Sequence, residues 1–67
     1  MSIAKITEIS AQSSKSFEDA IKSGVRRASK TLKNIKAVWI KEHECVVENG
    51  EITEFRVIMK VTFVLED

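Results

Sequence analysis

His43 and Cys45, two residues apart, are the chain's only histidine and only cysteine, and its only candidate for a paired base and thiol nucleophile. On a strand their side chains would share a face, but no third group stands at a spacing that would orient the imidazole. A small apolar thiol beside a surface imidazole is the plainer reading. Glu42, Glu44, Glu48, Glu51 and Glu54 could offer oxygen ligands to a hard cation such as calcium. They match no EF-hand loop, and a site built from them would be most credible at a subunit junction. Arg26, Arg27, Lys30 and Lys33 could hold a phosphate; as a cluster at one end of a helix they also simply complement its dipole. Trp39 could stack on a flat aromatic ligand, although a lone strand tryptophan is more often an interface anchor. Two glycines in all leave no room for a phosphate-cradling loop. Nothing here supports an enzyme.

Composition narrows the field. Sixty-seven residues, 43% apolar and 31% charged, describe one small globular domain spanning residues 1–67. Eleven basic against ten acidic residues leave a net charge of +1, so bulk attraction to nucleic acid or to an anionic membrane is not expected. No apolar run approaches a membrane span, and the start MSIAKITEIS lacks a signal-peptide core, so the cytoplasm is the expected compartment. A chain this short builds a core worth only about 3–5 kcal/mol, and a disulfide framework or a Cys/His zinc site would need more of both residues. Oligomerisation is the remaining source of stability.

Ile3 to Ile9 mixes β-branched and charged residues and predicts a strand. Phe17, Ala20, Ile21, Val25, Ala28 and Leu32 recur every three or four residues and line one face of an amphipathic helix. Ser13 or Ser14 is placed to cap it, with Glu18 and Asp19 in its first turn. Gly24, in mid-helix, suggests close approach to a neighbouring backbone.

Asn49-Gly50 predicts a two-residue type I′ hairpin turn, which pairs Glu48 with Glu51. Phe55, Val57, Met59, Val61, Phe63 and Leu65 then alternate on the face that covers the helix, with Val38 and Ile40 beside them. The same register sets Glu42 and Glu44 against Val57 and Phe55. Either a β-bulge shifts the pairing, or a long arm leaves its own helix and packs on another subunit. The opposite face collects Ala37, Trp39, Lys41, His43, Cys45 and Val47, with Ile52, Arg56, Ile58 and Thr62 across from them. So apolar a face marks a partner or ligand surface.

In the order strand, helix, long hairpin, the chain resembles the dodecins. The resemblance is carried by the helix start Ser13 to Ile21, the helix exit Ala28-Ser29-Lys30-Thr31-Leu32 and the closing strand Phe55 to Phe63. It implies an α+β protomer of β-α-β-β order, a three-stranded antiparallel sheet wrapped around one helix. It further implies a homododecameric hollow shell of 23 symmetry that binds flavin (FMN or riboflavin) without catalysis. Family members stack a tryptophan of the second strand on the isoalloxazine ring and bond its polar edge with a glutamine of the third. Counted from Lys30-Thr31-Leu32, the tryptophan position is Ala37, the acidic position before it is Lys36, and the glutamine position is Arg56. Only Arg27 and Thr31 match the flavin-contacting set, and Trp39 lies one side-chain step from the stacking position. The resemblance therefore implies a retained shell with an altered flavin pocket, or a calcium-binding or purely structural assembly. Arg56 is expected to seek an anion: a ligand phosphate, or a glutamate of a neighbouring hairpin.

Overall fold

A computed structural model describes residues 3–65 and gives the order β1 (Ile3–Ser13), α1 (Phe17–Ala28), β2 (Ile35–Glu48) and β3 (Glu51–Leu65). The sheet runs β1-β3-β2, antiparallel throughout, with both neighbours paired to the closing strand. The expected β-α-β-β architecture is what forms. β1 runs further than its apolar pattern suggested, because Ser10 to Ser13 continue pairing with Ile58 to Phe55.

The helix starts at Ser16, whose Oγ accepts from the Asp19 N–H at 2.9 Å, so Ser16 and not Ser13 or Ser14 is the cap. Ser13 does a different job. Its hydroxyl donates to Asp19 Oδ2 at 2.6 Å and accepts from the Lys15 N–H at 2.9 Å, which joins the end of β1 to the first helical turn. The helix closes at Ala28, short of Leu32, with Ser29 as C-cap and a tight turn beyond it. Asn34, at φ 61°, then turns the chain into β2.

Val57, Met59 and Val61 of β3 are fully buried, as is Ala20 of the helix. Ile9, Ala11, Phe17, Ile21, Val38 and Ile40 pack around them. Gly24 sits at a close approach. A Cβ there would stand 2.6 Å from Met59 Cε and 3.0 Å from Ala11 Cβ, so the neighbours are side chains and not backbone. The core ends there. Ile3, Ile6, Trp39, Val47, Ile52 and Leu65 remain exposed, and the radius of gyration is 13.8 Å. A compact chain of this length would have about 11 Å. The protomer is an elongated body of 51 × 19 × 14 Å that leaves much of its apolar surface uncovered.

The hairpin turn forms as expected, with Asn49 at φ 51° and Gly50 at φ 78°. Val38 pairs with Val61 and Ile40 with Met59, also as expected. Beyond Ile40 the register slips by one, so Glu42 pairs with Ile58, His43 with Val57, Glu44 with Arg56 and Cys45 with Phe55. Of the two explanations for the misplaced glutamates, the bulge is present. It turns Glu42 and Glu44 to the outer face and brings His43 and Cys45 to the helix face, the reverse of the expected placement. A second shift between Val46 and Val47 restores the original pairing before the turn.

Candidate functional site

The bulge at Lys41 shapes both faces of the hairpin. On the helix side His43 meets the edge of Phe17, ring centroids 4.9 Å apart at 90°, and Phe17 meets Phe55 at 5.2 Å. These contacts fill the end of the core. Cys45 is a free, exposed thiol, and His43 also lines a shallow hollow with Glu42, Glu44, Arg56 and Ile58. The candidate dyad is thus an aromatic packing residue and a free thiol.

On the outer face, Gln12, Arg56 and Glu44 stand directly opposite one another on β1, β3 and β2. The Arg56 guanidinium donates through Nη1 to Glu44 Oε1 at 2.9 Å and through Nε to Gln12 Oε1 at 3.1 Å. This clasp crosses all three strands. The expected carboxylate partner is real, but it belongs to Arg56's own hairpin. Charge-assisted bonds of this length fix the planar guanidinium, although at 38% and 61% side-chain exposure the ion pair adds little stability. Further along the face, Lys41 Nζ pairs with Glu8 at 3.3 Å, and Lys60 Nζ stands 5.2 Å from the centroid of the Trp39 ring. One side of that exposed indole already carries a cation.

Ala37 and Trp39 both lie on this outer face, paired with Thr62 and Lys60, and Lys36 is exposed at a register irregularity beside Ala37. Arg27 and Thr31 are elsewhere. They line a groove of about 570 Å³ between α1 and β1, on the helix side of the sheet. A single protomer therefore does not gather the six candidate binding residues into one pocket. Sequence reasoning missed Gln12, and it did not pair Glu44 with Arg56, because the unshifted register sets His43 across from that arginine. Among the described residues, no group of three or more His, Cys, Asp or Glu side chains is placed to hold a metal ion, and no helix is long and apolar enough to cross a membrane.

A twisted three-stranded sheet around one capped helix, with a long bulged hairpin and an uncovered outer face, defines a class of small β-α-β-β proteins. Within it the chain belongs to the dodecin family, whose sequence profile matches residues 3–66. Among solved structures, the dodecin from Streptomyces davaonensis superposes with a TM-score of 0.93 at 32% identity, covering 98% of this chain and 97% of that one. A dodecin variant from Thermus thermophilus gives 0.93 at 28% identity, covering 100% and 98%. The dodecin from Streptomyces coelicolor gives 0.93 at 26% identity, covering 98% and 94%. No curated protein matches the chain. Family and fold together make this a small-ligand-binding protein of the dodecin type.

Proposed function

We propose that the chain is the protomer of a non-catalytic homododecameric shell that stores or sequesters a small aromatic ligand, and that its flavin pocket is altered. Flavin is the nominal ligand because of the family. The observation that carries the altered pocket is the clasp on Arg56, held at 2.9 Å by Glu44 and 3.1 Å by Gln12. A guanidinium has donors only, so it cannot accept a bond from a flavin edge as an amide does. Ala37 lies on the same face but across from Thr62, about 20 Å along β3 from Arg56; it offers no ring to stack on, which forgoes about 0.5–1.5 kcal/mol for each aromatic pair. Trp39 takes the role of a subunit anchor, with Lys60 against its ring at 5.2 Å from the centroid. Arg27 and Thr31, which line the α1–β1 groove, complete the pocket only if neighbouring protomers bring them to this face. Shell assembly supplies the burial that the isolated protomer lacks.

The test is flavin fluorescence. Wild-type protein is expected to leave riboflavin and FMN fluorescence nearly unquenched at micromolar concentration. The double variant Ala37→Trp with Arg56→Gln is expected to bind and quench strongly while light scattering shows an intact assembly. Tight binding by the wild type, or none by the restored variant, would overturn the pocket assignment. No quenching together with calcium-dependent thermal stabilisation would instead favour a cation-binding assembly.

A further inference from the structure

Charge is sorted along this chain. Residues 22–36 carry six cations and no acid, whereas residues 42–54 carry five glutamates and neither lysine nor arginine. The near-zero net charge conceals this polarity. In the fold, the basic segment runs from mid-helix through the turn into β2, and the acidic one is the hairpin arm.

The groove between α1 and β1 lies on the basic side. Its apolar floor is Ile9, Ala11, Gly24, Ala28 and Leu32, and its only charged lining residue is Arg27, flanked by hydroxyls such as Ser23 and Thr31. At about 570 Å³ it is within the range of specific binding clefts. A fitting occupant would be small and would set apolar side chains next to negative charge.

The hairpin arm has those properties. Val47 and Ile52 pair across the arm near the turn and are 59% and 55% exposed. Glu48 and Glu51 face each other directly, an arrangement of like charges that costs stability in an isolated sheet. Of the arm's glutamates, Glu44 has its cation in Arg56, and no described ion pair neutralises Glu48 or Glu51. A surface that is apolar, self-repelling and rigidly presented by a type I′ turn suits an oppositely charged cleft.

We infer that the hairpin tip of one protomer seats in the α1–β1 groove of a second copy, with Val47 and Ile52 on the apolar floor and Glu48 and Glu51 against Arg27. Donor and acceptor surfaces are different parts of the same chain, so each copy can both give and receive the contact. This inference rests on the shell reading above and specifies one of its contacts. The charges steer encounter and fix register, while the two β-branched side chains supply the buried area.

The experiment is a charge reversal read by light scattering at moderate ionic strength. Wild type is expected as one large species, Arg27→Glu as small species, and Arg27→Glu with Glu48→Lys and Glu51→Lys as the large species again. A large species unchanged by Arg27→Glu, as when a small carboxylate amphiphile is the groove's true occupant, would overturn the seat while leaving the shell standing. A wild type that is monomeric overturns both. If circular dichroism shows Arg27→Glu unfolded, a cysteine pair decides. Ser23→Cys with Glu48→Cys, in a Cys45→Ser background, is expected to yield disulfide-linked oligomers on oxidation, and purely monomeric product refutes the contact.

Discussion

The two faces of this sheet are built on different terms. The helix face is close-packed: Val57, Met59 and Val61 are wholly buried, and Gly24 approaches so near that an added Cβ would lie 2.6 Å from Met59. The outer face holds its side chains by polar contacts alone, Gln12 to Arg56 to Glu44 and Glu8 to Lys41, with Trp39 and Ile6 left 63% and 60% exposed. The first face accounts for the protomer's own stability. The second contributes little to it, so its pattern of residues answers to ligand and neighbours.

The comparison breaks most sharply at Met59. Met59→Ala should cost about 2–5 kcal/mol per protomer in urea denaturation, because a fully buried side chain leaves a cavity. The same substitution reverses the effect of a second one. Gly24→Ala in wild type should be neutral to destabilising by about 2 kcal/mol, since overpacking outweighs the gain of about 1 kcal/mol in helix propensity. In the Met59→Ala background the obstruction is gone, and Gly24→Ala should stabilise. Additive effects would mean that the contact does not constrain the helix.

On the outer face the numbers shrink. A double-mutant cycle on Glu44→Gln and Arg56→Gln should give a coupling of only about 0.2–1 kcal/mol, falling with salt, because both side chains are substantially exposed. A coupling above about 2 kcal/mol would show the two faces to be energetically alike.

Smallest of all should be the deletion of Lys41. It removes the bulge residue yet keeps Ile40 opposite Met59 and Glu42 opposite Ile58. The loss is the exposed ion pair to Glu8 and some local twist, within about 1 kcal/mol by thermal melting. Deleting His43 instead would slide Glu44 to the position across from Val57 and against Phe17, and should unfold the arm at far lower temperature.

Most of the fold was legible because apolar spacing reports it. The alternation from Phe55 to Leu65 names the core face, and the three-and-four spacing from Phe17 to Ala28 names the helix. The bulge was not legible as a certainty. Lys41, Glu42 and His43 are all polar, so no apolar residue records which face each takes, and the parity flip leaves no mark until Phe17 meets His43. The helix end was misjudged for a related reason: Leu32 keeps the helical spacing but lies beyond the Ser29 cap, in the turn that redirects the chain. For the site, Ala37 and Arg56 came from family resemblance. The clasp depended on the slipped register, so Glu44 could not be paired with Arg56 until that register was known.

The strand order carries a consequence for synthesis. β2 and β3 pair across a two-residue turn, but β1 pairs with β3 from Ile3 opposite Leu65 to Ser13 opposite Phe55. The first strand translated therefore has no partner until the last has been made. Hairpin zipping is local and fast, whereas closure of β1 spans nearly the whole sequence and sets the slow step. On a translating ribosome the amphipathic helix and an unpaired β1 wait together for β3, and the protomer closes only as its final strand emerges.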